Sequence, residues 1–222
     1  LEFFGAERED YPEEFGPADE ALELQNVRQV IASLQADVIA IQEVSSDSLF
    51  AELIRQLPGY GGICSDRYSR SFEGPSATFP PQKVCFVYDT ATVKVTGTKV
   101  LFEALYDSAR TIDPSLLPNY PTGDPSSFWS SGRLPYMLTA NVTINGVTEQ
   151  INFVNIHAKS GSTLADFNRR VYDANVLKAY LDTQYANEQV ILLGDFNDDL
   201  DQSITVGQPS SYAAFASDST YL

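Results

Sequence analysis

Four polar residues stand where oily segments end. "VIAIQE" runs into Glu43, "INFVNIH" into His157, and "VILLGDFN" into Asp195 and Asn197. A carboxylate at the end of a hydrophobic strand is costly unless it is hydrogen-bonded or meets a cation. A capped turn or bonds to backbone amides would explain any one of them alone. Three such segments in one chain point instead to a shared, metal-assisted site. Side chains two apart in an extended strand face the same way, so Asp195 and Asn197 are predicted on one face, as are Asn155 and His157. Asp198, Asp199 and Asp201 read as turn residues and solvated surface.

The other ligand-forming residues narrow the chemistry. His157 is the only histidine, which excludes an HExxH or multi-histidine zinc site. The two cysteines both lie in strand-like runs, which argues against a thiolate cluster. Hard oxygen donors suit Mg²⁺, Mn²⁺ or Ca²⁺. "DFNDDLD" looks like the start of an EF-hand loop. However, Leu200 stands where that loop needs glycine and Val206 where it needs a bidentate Glu, so the reading is rejected.

These groups need a scaffold of short buried strands. Val27, Val30, Ile31 and Leu34 recur at helical spacing and predict a helix over 20–35. A buried strand follows over 37–44, then a helix over 45–57 with a Ser/Asp start, stopped by Pro58-Gly59. Strands are predicted at 60–65, 83–88 and 93–101. Residues 103–133, rich in Pro, Ser, Tyr and Asp, read as a long loop of the kind that often carries function, and here as the segment that chooses the substrate. Asn145-Gly146 centres a hairpin, a helix covers 163–186, and "QVILLGDFN" is a last buried strand. The first 21 residues read as a short strand followed by an acidic Pro/Gly-containing loop. This order describes one α/β domain with mixed strand directions.

With 222 residues, 43% of them hydrophobic, the chain can bury one sizeable core. It contains neither an apolar run long enough to span a membrane nor a signal-peptide pattern. A net charge of −16 argues against an electrostatic grip on nucleic acid. A bound divalent ion would supply positive charge locally. Cys64 and Cys85 lie in two strands whose connection suits antiparallel pairing. They form either a disulfide, worth about 3 kcal/mol in the chain-entropy model and implying export, or two buried thiols.

"ADVIAIQEV", "SGRLPYMLTANV", "NFVNIHAKSG" and "VILLGDFNDDL", in this order, resemble the endonuclease/exonuclease/phosphatase family, which has the deoxyribonuclease-I-like fold. The likeness runs over nearly all of residues 2–200 and leans towards bacterial secreted members. It implies a four-layer α/β sandwich, with two mixed β-sheets face to face, helices outside and the site at one edge. It also implies cleavage of phosphodiesters or phosphomonoesters with Mg²⁺ or a similar ion. By the same resemblance Glu43 is a metal ligand, and His157 bonds a phosphate oxygen or moves a proton. Asp195 orients or deprotonates the attacking water, and Asn197 positions the phosphate. Arg133 matches a family arginine with a substrate-contacting or supporting role. Lys159 matches a basic position that would meet a phosphate, or it is an ordinary loop lysine.

The chain departs from the family pattern at both ends. An Asn expected just before "LEFF" is not in it, and neither is the closing Ser-Asp-His. "ASDST" at 216–220 imitates the Ser-Asp pair but follows Asp195 too closely to leave room for the closing strands. The expectation is a single domain over 1–222, cut at both ends, with its C-terminal strands missing and weak activity as it stands. The function expected is that of a divalent-metal-dependent nuclease or phosphodiesterase, monomeric and extracellular or periplasmic. Its substrate would be nucleic acid or a small phosphoester. The alternatives are a phosphatase for a small or lipid-linked phosphate, and an inactive binding module of a larger secreted protein.

Overall fold

Three clusters of buried side chains separate four layers. The computed structural model describes residues 1, 3–6, 19–69 and 80–221. Its helices are α1 (Glu20–Leu34), α2 (Asp47–Arg55), α3 (Glu103–Thr111), the single turn α4 (Phe128–Gly132), α5 (Leu164–Gln184) and the short α6 (Ala213–Ala216). Its strands are β1 (Val38–Val44), β2 (Tyr60–Cys64), β3 (Lys83–Asp89), β4 (Val93–Val100), β5 (Tyr136–Ile144), β6 (Val147–His157) and β7 (Gln189–Asp195). One sheet has the order β1-β3-β2 and is antiparallel, and the other has the order β4-β5-β6-β7. In the second sheet β6 and β7 are parallel and the other pairs antiparallel.

Strand alternation distributes the core. Ile41, Cys85 and Val87 face Leu49, Phe50 and Leu53 of α2 and Ile31 of α1. Val84, Phe86, Tyr136, Leu138, Ala140 and Phe153 fill the space between the sheets. Met137, Val154 and Ile156 turn the other way, towards Ala174, Leu177 and Leu181 of α5. Fully burying a side chain such as Leu53, Leu138 or Leu177 is worth about 1.5–3 kcal/mol each. The helices start where their caps dictate. Asp19, Ser46 and Thr163 accept from the backbone N–H groups of Leu22, Leu49 and Asp166, satisfying amides that have no helical partner. Among the described residues no helix is long and apolar enough to cross a membrane.

Asn155 ties the two sheets together. It is fully buried in β6, and its Nδ2 donates to the carbonyls of Ile41 (3.0 Å) and Cys85 (2.8 Å) in the facing sheet. Its Oδ1 accepts from Gln42 Nε2 at 2.7 Å. Cys64 stands directly opposite Cys85 in the β2–β3 ladder, and the two form a disulfide.

The segment 103–133 is not the loop that its composition predicts. It holds α3, two short 3-10 turns (Pro114–Leu116 and Pro125–Ser127) and α4. Tyr106, Tyr120, Phe128 and Trp129 are buried against α5, with Tyr120 and Tyr172 rings 5.1 Å apart. Helix α3 gives little sign of itself in sequence. It is nine residues long, buries only Tyr106 and Ala109, and starts at Phe102 without a side-chain cap. At the start of the chain Phe4 makes one parallel bridge to Val44. Most of the acidic loop expected there lies outside the described residues.

Candidate active site

The ends of β1, β6 and β7 meet at one edge of the sandwich. In the parallel β6–β7 ladder His157 pairs with Asp195, so the two side chains share the face turned to the other sheet. Glu43 comes from that other sheet. The β1–β3 register shifts between Ile41 and Val44, and Glu43 has φ 62°. Such a bulge bends its strand and re-aims a side chain. Here it brings Glu43 Oε1 to 3.6 Å from His157 Nε2, which also lies 3.6 Å from Asp195 Oδ2. Both separations exceed a hydrogen bond. The imidazole nitrogen therefore stands between two carboxylates without being committed to either.

The environment sets the charge of these groups. His157 is 2% exposed. Burial, helped by the nearby Arg133 charge, lowers its pKa to about 2, so the ring is neutral. Burial raises the Glu43 pKa and Asp195 adds to this, while the Phe3 N–H bond and Arg133 act in the opposite direction. A desolvated carboxylate that is only partly compensated is a good seat for a cation.

Asn197 reaches the site by a different route from the predicted one. Strand β7 ends at Asp195, and Asn197 lies beyond it with φ 48°. Its N–H donates to Asp195 Oδ1 at 2.9 Å, an Asx-type turn. Its Nδ2 donates to the carbonyl of Ala158 at 3.1 Å. The turn, not strand alternation, brings the two together. Gly194 is needed just before them. With φ 130°, it leaves no room for a side chain, since a Cβ would lie 2.1 Å from the carbonyl oxygen of Ile156.

Arg133 joins this group. Its Nη2 donates to Ala158 O and to Ser130 Oγ, both at 2.8 Å, and its Nη1 donates to Gln82 Oε1 at 3.1 Å. Lys159 is close in sequence, but its ammonium is engaged by Asp166 Oδ1 at 3.1 Å and by Ser160 O at 2.6 Å. The serine beside Arg133 belongs to an unusual turn. Trp129, Ser130 and Ser131 have φ values of 45°, 52° and 68°, a left-handed run in α4. Each such residue costs about 1–2 kcal/mol. The run is held by buried Trp129, by Arg133 N–H to Trp129 O at 2.8 Å, and by Tyr120 and Arg169 donating to Ser127 O at 2.7 and 2.6 Å.

Asp198 corrects the sequence reading of a solvated turn residue. Its side chain is fully buried, accepting from Ile204 N–H at 2.7 Å, Ser211 N–H at 2.9 Å, Ser203 Oγ and Ser211 Oγ, with Arg170 Nε 3.7 Å away. Arg170 is equally buried and donates to the carbonyls of Lys159 (3.0 Å) and Gly161 (2.6 Å). The pair therefore ties the loop after β6 to the loop after β7. The partners of Asp198 come from a segment that folds back from positions 203–211 and from α5, and no local spacing announces them.

Among the described residues no group of three or more His, Cys, Asp or Glu converges as a ready metal cluster. The donors that fit a cation are the carboxylates of Glu43 and Asp195. Both are hard oxygen ligands of the kind Mg²⁺ takes one or two of, leaving its other positions to water and substrate phosphate.

Two facing sheets with a carboxylate, a neutral imidazole, an Asp-Asn pair and an arginine at converging strand ends define a deoxyribonuclease-I-like architecture. The chain belongs to the Endonuclease/Exonuclease/phosphatase family, whose model matches residues 13–211. Comparison with curated proteins finds no match. Among solved structures, the human nocturnin catalytic domain with bound sulfate superposes with TM-score 0.53 at 17% identity, over 90% of this chain and 63% of that one. A mannosyl-6-phosphatase of Bacteroides thetaiotaomicron gives 0.55 at 20% identity, over 88% and 61%. A family protein of Bacteroides vulgatus gives 0.55 at 18%, over 88% and 62%. The likeness at these identities is one of fold, and the chain spans under two thirds of each of these structures.

Proposed function

We propose that the protein is a divalent-metal-dependent phosphoesterase, a phosphodiesterase or nuclease, that hydrolyses P–O bonds with an activated water. The observation that carries this reading is the convergence of Glu43, His157 and Asp195 from three strands of two sheets, with His157 Nε2 3.6 Å from each carboxylate. A divalent cation at Glu43 would offset charge on the phosphate and on the leaving oxygen. Asp195, with 46% of its side chain exposed, is placed to orient water and take its proton. Neutral His157 donates a hydrogen bond to a phosphate oxygen through Nε2–H, in a site where burial strengthens that bond. Asn197 holds the Asp195 carboxylate and the Ala158 carbonyl in register, and Arg133 presents a guanidinium to the phosphate.

A net charge of −16 favours a second reading, a phosphatase for a small or lipid-linked phosphate, since such a substrate brings less negative charge than a polynucleotide. The disulfide supports an oxidising, extracellular or periplasmic location. One comparison tests the function. The protein is incubated with Mg²⁺ or Mn²⁺ and with single-stranded DNA, RNA, or p-nitrophenyl phosphate, with EDTA controls. Cleavage of a nucleic acid that EDTA abolishes is the expected result. Turnover of the monoester alone transfers the assignment to the phosphatase, and turnover of none of them contradicts both.

A further inference from the structure

Beside the strand-end site, and sharing Arg133 with it, lies a second recess of about 190 Å³. That is roughly the liquid volume of six waters at about 30 Å³ each, enough for a tetrahedral oxyanion and part of its hydration. Three cationic side chains, Arg133, Lys159 and Arg169, line it together with hydroxyls that include Ser69, Ser130 and Ser131, and among the described residues no carboxylate lines it. In a chain of net charge −16 this concentration of positive charge needs a reason.

The three cations are not equally spent. Lys159 is shared with Asp166. Arg169 donates to the neutral carbonyl of Ser127, and among the described residues no carboxylate lies within salt-bridge reach of it. Asp173, one turn further along α5, is buried; that burial raises its pKa well above the usual carboxylate range, and Arg169 acts in the opposite direction. The hydroxyls are rigidly presented. Ser130 and Ser131 sit on the left-handed turn, and the Ser131 hydroxyl has no protein partner among the described residues. Ser69 N–H donates to the Gln82 carbonyl at 2.8 Å, and Ser69 Oγ accepts from Gln82 N–H at 3.0 Å. Gln82 Oε1 accepts from Arg133, and its buried Nε2 has no partner among the described residues. Strained backbone held in place by its surroundings collects at binding and catalytic sites. Cations with hydroxyl donors and no acid are the chemistry that recognises phosphate.

We propose that this recess seats a second phosphate group of the substrate, one that is bound but not hydrolysed. The proposal rests on the phosphoester reading above and narrows it to substrates carrying at least two phosphates. Arg133 would then lie between the two phosphates, since it lines the recess and also holds the Ala158 carbonyl to which Asn197 is bonded.

Calorimetric titration in EDTA, at low ionic strength, measures this without turnover. The ligands are the dinucleotide d(TpT), the same dinucleotide with a 5′ or a 3′ terminal phosphate, and inorganic phosphate. One terminally phosphorylated form should bind at least about tenfold tighter than d(TpT), and inorganic phosphate should compete for that gain. Arg169→Gln and Ser131→Ala should each shrink the gain. Should Arg169→Gln lower the melting temperature, Ser131→Ala carries the test, because its hydroxyl bonds no other described residue. Equal affinity for all three dinucleotides, or a gain that survives both substitutions, overturns the recess while leaving the hydrolytic centre standing. If inorganic phosphate binds but no dinucleotide does, the phosphodiester reading fails and the second-phosphate assignment falls with it.

Discussion

Arg133 and Asn197 donate to the same acceptor, the carbonyl oxygen of Ala158, at 2.8 and 3.1 Å. The residue following His157 is thus gripped from two sides, once from the segment before β5 and once from the turn after β7. This fixes the exit of β6 and hence the direction of the imidazole. It also places a guanidinium next to the Glu43, His157 and Asp195 cluster without pairing it to Glu43 or Asp195.

Arg133→Lys keeps the charge but loses the planar fork that reaches Ala158, Ser130 and Gln82. A hydrogen bond to a charged group is worth about 1.5–3 kcal/mol, so kcat/KM should fall about ten- to hundredfold. Steady-state kinetics on whichever of the three assay substrates the parent protein turns over measure it. Activity within twofold of the parent would remove Arg133 from the phosphate site.

Asp198 and Asp199 are neighbours with opposite roles. Removing a buried ion-pair partner costs about 3–5 kcal/mol, so Asp198→Ala should strongly lower the urea midpoint. Exposed Asp199 should change stability by no more than about 0.5 kcal/mol when replaced by Asn. Equal effects would contradict the buried pair with Arg170.

Asp173 supplies a pH signature. Its carboxyl is buried beside Arg169, near Trp129, Tyr120 and Tyr212, with neither oxygen hydrogen-bonded to a described side chain. Burial raises its folded pKa well above 3.8, so the native state favours the protonated form. Its contribution is therefore most favourable below the unfolded pKa and declines as pH rises towards the folded one. Asp173→Asn, neutral at every pH, should raise the melting temperature more at pH 8 than at pH 4. A uniform shift, or a loss that is greater at pH 8, would count against a neutral Asp173.

The disulfide closes a loop with a sequence separation of 21 and sits on the strand whose Cys85 carbonyl accepts from Asn155. Mass measurement after alkylation of the unfolded, unreduced protein should show neither cysteine labelled. The double substitution Cys64→Ser, Cys85→Ser should cost about 3 kcal/mol. Two labelled thiols would withdraw both the bridge and the argument for export.

Much of this site can be read in sequence wherever a strand ends in a polar residue. Glu43, His157 and Asp195 each close an apolar run, and alternation alone puts Asn155 and His157 on one face, as the inter-sheet bonds of Asn155 confirm. Alternation fails where the backbone leaves the strand. Glu43 is aimed by a bulge, and Asn197 by a turn with positive φ. Asp198 looks like one more acid in an acidic turn because its partners Arg170, Ser203 and Ser211 come from other segments. Ser130, Ser131 and Arg169 carry no chemical signature of their own. Only the left-handed turn and the packing of α5 bring them beside Arg133.

Glu43 is the proposed seat of the divalent cation, and thermal unfolding reads this before any substrate is known. A ligand that binds the folded state alone raises the melting temperature by mass action, by about 2.7 kcal/mol at a hundredfold excess over Kd. For a protein of this size each kcal/mol is worth about 2–4 °C. Mg²⁺ or Mn²⁺ added after EDTA treatment should therefore raise the melting temperature of the parent by several degrees and leave Glu43→Gln unmoved. An equal rise in both proteins, or none in the parent, would contradict a metal site at the end of β1.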